Sequence, residues 1–204
     1  MDWTESKEYG VIIDIADPYS YREHLTLPKF IVNATSDEFF VTDSWQFYWD
    51  DLEGDNHLQY LPNTGHGLYG TYKTSSMISF YHHLISDITM PEYSWNVSGD
   101  TIHVNVDPSE DYKIRRWETV NEKERDFRIY KIGESWTSED IELNEIGSYA
   151  IAIKRPENGY KASFVELVFN PESSFPLGFS SGTLVVPNTY PFSRFVSPNP
   201  QGTR

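Results

Sequence analysis

The chain has 204 residues, no cysteine, and a formal charge of −15 at pH 7. Its 38% apolar and 16% aromatic content is typical of a globular protein with a buried core. The negative charge argues against binding to nucleic acid, and the absence of cysteine excludes a disulfide framework, a thiolate zinc site and a cysteine nucleophile. No apolar run reaches the roughly 18 residues of a membrane-spanning helix, so we expect no membrane insertion. The first eight residues lack the basic start and apolar core of a signal peptide.

The first 90 residues alternate short apolar strands with helical patterns. Residues 29–37 predict a strand that ends in an acid, and residues 58–66 predict a second strand that ends in a histidine. A helical pattern follows each strand, over 42–52 and 71–88. This alternation predicts part of a parallel α/β sheet.

The chain changes character near Pro91, after which short segments alternate apolar with polar residues. The candidate strands span 101–106, 112–119, 127–132, 148–153, 161–169 and 183–186. Several short antiparallel strands favour a β-sandwich of immunoglobulin or fibronectin type, with Trp117 either as its buried anchor or as a rim aromatic. We therefore predict three parts: the α/β part over 1–90, the sandwich over 91–190, and an irregular tail over 191–204.

The acid and the histidine at the two strand ends, Asp37 and His66, suggest chemistry. A serine hydroxyl needs an imidazole to take its proton and a carboxylate to orient that imidazole, and in α/β-hydrolases the acid precedes the histidine along the chain. Alternatively, Asp37 caps the segment that follows it, or Glu38 or Asp43 serves as the acid. The nucleophile itself is missing, because the sequence has no Gly-x-Ser-x-Gly turn.

Other candidate sites are weaker. His82 and His83 are adjacent on a predicted helix, where their side chains diverge by about 100°, so we predict no metal site. Nothing in the sequence indicates a cofactor. Two glycosylation sequons begin at Asn33 and Asn96, and we expect Asn96 to be the one able to carry a glycan, because Asn33 ends a buried strand.

Four stretches of the first part resemble the PhoPQ-activated pathogenicity-related protein family, which includes a secreted autocrine proliferation repressor of social amoebae. They are Asp17-Pro-Tyr-Ser-Tyr-Arg22, Leu27-Pro-Lys-Phe-Ile-Val-Asn-Ala-Thr-Ser-Asp-Glu-Phe-Phe40, Asp43-Ser-Trp-Gln-Phe-Tyr-Trp-Asp-Asp-Leu52 and Leu61-Pro-Asn-Thr-Gly-His-Gly-Leu68. The last departs from the family's Asn-Ala-Asp-His-Ser-Leu pattern but keeps the histidine. The resemblance covers nearly the whole chain.

The resemblance implies the C-terminal portion of an α/β-hydrolase-like domain followed by a β-sandwich. The family's serine lies in a Gly-x-Ser-Lys-Arg-Gly turn that this sequence lacks, so the chain resembles a fragment that is inactive alone and has the missing N-terminal part of the hydrolase domain as its partner. For the full-length parent, the resemblance implies a secreted protein. That parent is either a serine hydrolase of ester or peptide bonds or a signalling protein that contacts a protein or cell surface through the sandwich.

Such a fragment is expected to leave apolar side chains of its first part uncovered, among them Ile12, Ile13, Phe30 and Val32. Each costs roughly 1.5 to 3 kcal/mol when it stays exposed to water. We therefore expect the first part to be unstable alone and the sandwich to fold independently.

Overall fold

The computed structural model describes residues 2–68 and 72–203. In these residues the chain is mostly β-structure, with two antiparallel sheets and few helices, which is compatible with a β-sandwich. The antiparallel character predicted for the second part is therefore confirmed. Parallel pairing within the described ranges is limited to two strands, so a full α/β-hydrolase sheet is not seen here.

The first part is built around those two parallel strands. In chain order it contains α1 (Lys7–Ala16), a 3₁₀ helix (Pro18–His24), β1 (Lys29–Ala34), β2 (Asn56–Leu61) and α2 (Tyr72–Ile85). The predicted helix over 71–88 starts at a residue outside the described ranges and ends earlier than predicted, because Asp87 adopts a positive φ of 52°.

The helical pattern over 42–52 forms only two 3₁₀ turns, Ser44–Phe47 and Trp49–Asp51. The backbone between them leaves helical geometry at Tyr48, where φ is −143°. The Trp45 indole donates to the Thr183 carbonyl at 2.8 Å, and the rings of Trp45 and Trp49 both pack on Trp95. Tertiary packing of aromatic side chains therefore overrides the helical pattern here.

The second part contains strands β3 to β10 and one helical turn. The strands are β3 (Tyr93–Ser98), β4 (Thr101–Val106), β5 (Tyr112–Asn121), β6 (Thr137–Asp140), β7 (Ser148–Ala152), β8 (Tyr160–Phe169), β9 (Leu177–Ser180) and β10 (Leu184–Val186). One antiparallel sheet has the order β10-β8-β5-β6 with β9 also paired to β8, and a second has the order β3-β4-β7. No strand or helix follows β10 up to residue 203.

The predicted strand over 127–132 is wrong, because this segment contains the short helix α3 (Ile129–Ile132). The Asp126 carboxylate accepts the backbone N–H of Arg128 and pairs with its guanidinium, which turns the chain. Ile129 then donates its N–H to the Ser36 carbonyl at 2.9 Å. The apolar run therefore packs against the loop after β1 instead of pairing with a strand.

Strand β8 separates two apolar cores, since successive side chains of a strand point to opposite faces. Val165, Leu167 and Phe169 lie in the first core with side chains from β4 and β9, whereas Ala162 and Phe164 lie in the second. The fully packed tryptophan of the second core is Trp136. Trp117 is only partly buried at the edge of that core, where it stacks on Phe164.

Both cores also contain side chains from the first part. Phe30 and Phe80 pack in the first core, and Leu58 and Tyr60 pack in the second. The Tyr60 N–H donates to the buried hydroxyl of Ser180 at 2.9 Å, which joins β2 to β9. The boundary predicted near residue 90 is therefore crossed by shared packing, although the division into domains stays a prediction. Among the residues expected to be uncovered, Ile12 is exposed while Ile13, Phe30 and Val32 are partly buried.

Candidate functional site

The candidate site lies where β1 and β2 end. The two strands are parallel, with Ala34 opposite Leu61 at their last paired position, so their carboxyl ends meet at one edge of the sheet. The loop after β1 carries Asp37, and the loop after β2 carries His66. Open α/β sheets place their sites at this end of their strands. The parallel register thus brings together two residues that are 29 positions apart in sequence.

Asp37 and His66 form a close polar contact, with the Nδ1 atom of the imidazole 3.1 Å from Oδ2 of the carboxylate. The other carboxylate oxygen accepts the backbone N–H groups of Phe39 at 2.7 Å and Phe40 at 3.1 Å. Asp37 therefore stabilises its own turn and contacts the histidine ring at the same time. Its side chain is 11% exposed and that of His66 is 52% exposed, so the pair has a shielded acid and an accessible imidazole.

The two alternative acids have other partners. Glu38 accepts the backbone N–H of His66 at 2.7 Å. Its carboxylate lies so close to Gly65 that a Cβ atom there would come within 2.8 Å of it, which explains the glycine before the histidine. Asp43 forms an ion pair with Arg125, with 2.6 Å between Oδ2 and Nη2. Of these three acids, only Asp37 contacts the imidazole ring.

Aromatic side chains flank the imidazole. The Phe39 ring lies edge-on to it with 4.7 Å between centroids, and the Phe40 ring lies at 5.9 Å. Over the described ranges, no side chain hydrogen-bonds Nε2 and no serine hydroxyl contacts His66. If Nδ1 donates its proton to Asp37, the exposed Nε2 has a free lone pair that can accept a proton. The pair therefore has the residue types and the contact that a general base and its orienting acid require.

A family model described as PhoPQ-activated pathogenicity-related protein matches residues 1–128, a range that includes β1, β2 and the Asp37–His66 pair. The chain belongs to this family. The present chain is similar to autocrine proliferation repressor protein A of Dictyostelium discoideum, with 30% identity over 219 residues. That alignment covers 94% of the present chain and 44% of the relative. The chain thus spans less than half the length of this relative.

A second histidine–acid contact, which was not predicted from the sequence, lies at His57 in β2. Its Nδ1 lies 3.0 Å from the Tyr93 hydroxyl and its Nε2 lies 3.1 Å from Asp55, while its ring stacks on Phe179. Burial lowers the pKa of His57, and the exposed Asp55 opposes that effect only in part. Asp55, two residues before His57, was a local signal for this contact, whereas Tyr93 and Phe179 lie far away in sequence.

The remaining predicted positions lie apart from the Asp37–His66 pair. Asn96 is exposed on β3, at an edge of its sheet, so a glycan would have access to it. Asn33 is partly buried and donates to the Tyr48 hydroxyl at 2.8 Å. That a glycan can attach at Asn96 and not at Asn33 stays a prediction.

Residues 2–68 and 72–203 contain no cluster of three or more histidine and acidic side chains that could hold a metal ion. The His82 and His83 rings are nearly perpendicular, and Nδ1 of His83 contacts the Ser79 carbonyl at 2.8 Å. None of the helices in these ranges combines the length and apolar character needed to cross a membrane.

Proposed function

We propose that this chain carries the histidine and the acid of a serine-hydrolase-like site and is catalytically incomplete without a segment that supplies the nucleophile. In this proposal His66 is the general base and Asp37 orients it. The supporting observation is the 3.1 Å contact between Nδ1 of His66 and Asp37 at the carboxyl ends of two parallel strands. A carboxylate in that position holds the imidazole in the tautomer whose Nε2 accepts the serine proton.

In the same proposal, β1 and β2 are the last strands of a larger parallel α/β-hydrolase-like sheet. Within the described ranges β1 pairs with β2 alone, so one edge of β1 carries no strand. The side chains of α2 support the idea of an uncovered face, because many of its large apolar residues are exposed. They are Met77, Ile78, Tyr81, Leu84 and Ile85. A contiguous apolar surface of this kind marks an interaction site, and the proposed occupant is the N-terminal part of the hydrolase domain of a longer, secreted parent.

The first test concerns the tautomer of His66 and needs no nucleophile. In the purified chain, nitrogen-15 NMR of the imidazole is expected to show the proton on Nδ1, and Asp37→Asn is expected to change that distribution because an amide can donate to Nδ1. Glu38→Gln is the matched control, since Glu38 contacts only the His66 backbone. A His66 ring protonated on Nε2 in the parent chain, or unaffected by Asp37→Asn, would contradict the proposal.

The second test uses a fluorophosphonate probe, which labels activated serines. The chain alone is expected to stay unlabelled, whereas a longer chain that includes the Gly-x-Ser-Lys-Arg-Gly turn is expected to react in a His66-dependent way. Labelling of the present chain by itself, abolished by His66→Ala, would show that the nucleophile is within it and would overturn the inactive assignment.

A second candidate function is a signalling or binding protein that uses its β-sandwich, of immunoglobulin or fibronectin type, to contact a protein or cell surface. It is supported by the similarity to autocrine proliferation repressor protein A, whose alignment extends over 94% of the chain and thus over the sandwich. Saturable binding of the labelled full chain to cells that persists in His66→Ala would favour this function. Absence of such binding would leave the hydrolase-like function as the better explanation.

A further inference from the structure

A cavity of about 560 Å³ lies where the first part of the chain meets the second. Its walls come from Trp49, from residues 55–57 around the start of β2, and from residues 90–95 around the start of β3. The Asp37–His66 pair lies beyond the opposite end of β2 and does not line this cavity. Ligand sites often lie at boundaries between parts of a protein, and a volume of this size can hold a small organic molecule. The cavity is therefore a candidate binding site that the hydrolase-like proposal does not use.

Aromatic rings form part of the cavity wall. The rings of Trp49 and Trp95 lie with 5.2 Å between their centroids and 35° between their planes, and both side chains stay partly exposed. Tyr93 precedes Trp95 by two residues on β3, so it lies on the same face of the strand, roughly 7 Å away. Trp45 packs edge-on against Trp95 and donates its indole N–H to the Thr183 carbonyl. The pair of tryptophan rings is therefore fixed by the protein itself.

The imidazole and amide nitrogens of the wall already have partners. His57 contacts the Tyr93 hydroxyl through Nδ1 at 3.0 Å and the Asp55 carboxylate through Nε2 at 3.1 Å. The side-chain nitrogen of Asn56 donates to two backbone carbonyls of the preceding turn, at 3.0 Å and 3.1 Å. Burial lowers the pKa of His57, so its ring is neutral near neutral pH. These groups therefore hold the wall in shape and add no positive charge to it.

Two accessible carboxylates give the cavity its charge. The side chain of Asp55 is 59% exposed, although one of its oxygens contacts His57. Glu92 is also exposed at the wall, and among the described residues no lysine or arginine lines the cavity. An uncharged ligand would remove water from the carboxylates without supplying an opposite charge, which costs free energy. The charge of the wall therefore favours a cation.

The tryptophan rings indicate which kind of cation fits. The face of an indole ring attracts cations more strongly than other aromatic side chains do, and aromatic walls bind quaternary ammonium groups in this way. The methyl groups of such a cation also cover apolar ring surface that is otherwise in contact with water. A metal ion is a poor match, because the described ranges contain no cluster of three or more histidine and acidic side chains that could hold one. The wall therefore fits an organic cation better than an inorganic one.

We propose that this cavity binds a small organic cation of the substituted ammonium class, with its nitrogen on the rings of Trp49 and Trp95 and its charge near the two carboxylates. The site is independent of the proposed hydrolase-like function, because neither Asp37 nor His66 lines the cavity. Its binding needs no nucleophile and can be measured on the chain as it exists.

The test compares choline with 3,3-dimethylbutan-1-ol, which has the same shape but carries carbon in place of the charged nitrogen, and with methyl glucoside. Each compound is titrated against the full chain and followed by NMR. For a ligand of this size we expect choline to bind with a Kd on the order of 1 mM. The two uncharged compounds are expected to bind at least about fivefold more weakly. No saturable binding of choline, or equal or tighter binding of either uncharged compound, would overturn the proposal.

The indole N–H signals show where choline binds. The signals of Trp49 and Trp95, assigned with single tryptophan-to-phenylalanine variants, are expected to shift on titration. Trp136 is the internal reference, because it is buried in the second core and does not line the cavity. Shifts of the Trp136 signal as large as those of Trp49 and Trp95 would contradict binding at this cavity.

Substitutions of the carboxylates test the role of charge. Asp55→Asn removes the charge and keeps an oxygen that can accept from His57, so choline should bind about threefold to tenfold more weakly. Glu92→Gln changes an exposed side chain and should weaken binding in the same direction. The matched control is Asp14→Asn, because Asp14 is exposed on α1 and does not line the cavity. Equal weakening by Asp55→Asn and Asp14→Asn would show that only the overall charge of the chain matters, and would overturn the proposed site.

Failure of this proposal can be told from failure of the proposed function. If choline does not bind while the His66 tautomer responds to Asp37→Asn, the cation site is wrong and the hydrolase-like site stands. If choline binds as expected while the tautomer does not respond, the cation site stands and the hydrolase-like proposal is wrong. His66→Ala is expected to leave the Kd of choline unchanged, and a loss of binding in this variant would contradict the separation of the two sites.

Discussion

The two parts of the chain differ in how completely they bury their apolar side chains. In the antiparallel strands, inward residues such as Ile102, Phe164 and Phe179 are fully buried between layers. In the helices of the first part, Ile15 is 70% exposed and Ile85 is 63% exposed. Strands β4, β8 and β9 are covered by other strands, whereas α1 and α2 each keep an uncovered apolar face. The comparison shows that this chain closes its second part and leaves one side of its first part open.

The same comparison explains why the first part holds together. Phe30 from β1, Phe80 from α2 and His57 from β2 all contact the first core, where Phe179 is the shared neighbour of Phe30 and His57. Parallel strands need cover on both faces. The antiparallel sheets supply one cover, and our proposal assigns the other to a further part of the hydrolase domain.

The largest expected effect comes from breaking the shared core. Phe179→Ala removes a fully buried ring that contacts Phe30, His57, Tyr93 and Phe169, so we expect the free energy of unfolding to fall by about 3 to 5 kcal/mol. Chemical denaturation followed by both tryptophan fluorescence and circular dichroism measures it. Both signals should shift together, because the two parts share this residue.

Phe195→Ala is the control for that measurement, since its exposed ring should contribute less than about 0.5 kcal/mol. A loss below about 1 kcal/mol for Phe179→Ala, or two separate transitions in the parent chain, would show that the parts fold independently.

A change in the free energy of unfolding of intermediate size should come from the protonation of His57, which lies between the two parts. Burial lowers the pKa of His57 in the folded chain below its usual value of about 6.5. The unfolded chain therefore binds the proton first. The stability associated with neutral His57 is fully present above about pH 6.5 and is lost as the pH falls through the folded pKa, by at most about 1.4 kcal/mol per pH unit.

The free energy of unfolding of the parent and of His57→Gln, measured across this pH range, tests that expectation. The variant should show a flatter dependence below about pH 6.5, because glutamine does not titrate. Its stability at neutral pH separately measures the combined loss of the contacts with Tyr93, Asp55 and Phe179. If the free energy of unfolding depends on pH equally in the parent and in His57→Gln, other groups cause the loss of stability in acid.

The smallest effect on stability is expected on the open face. Ile85→Gln replaces an exposed side chain of α2, so the free energy of unfolding should change by less than about 0.5 kcal/mol. Self-association of the chain, measured by sedimentation velocity, should decrease because the apolar surface is smaller.

Ile146→Gln is the matched control, because Ile146 is also strongly exposed but lies in the loop before β7. If both substitutions reduce association equally, the face of α2 has no special role and the contrast between the two parts loses its functional meaning.

Much of the second part could be predicted because its strands alternate apolar and polar residues, as in β4 and β7. Strand β6 has no such pattern, since all four of its residues are exposed, and cross-strand ion pairs such as Arg116 with Glu139 accompany its pairing to β5. Strand β9 is buried on every residue and also lacks alternation. β3 does alternate, so its signal was present in the sequence.

The sequence by itself determined the residue types at the candidate site, their order along the chain, and their position just after two apolar strands. It also indicated the antiparallel second part, because alternation is a local property of a segment. Only the tertiary structure decided that Asp37, and neither Glu38 nor Asp43, contacts the His66 ring. That choice depends on the register in which Ala34 lies opposite Leu61 and on the Arg125 side chain that binds Asp43. Contacts between residues so far apart in sequence follow from packing, which no local pattern encodes.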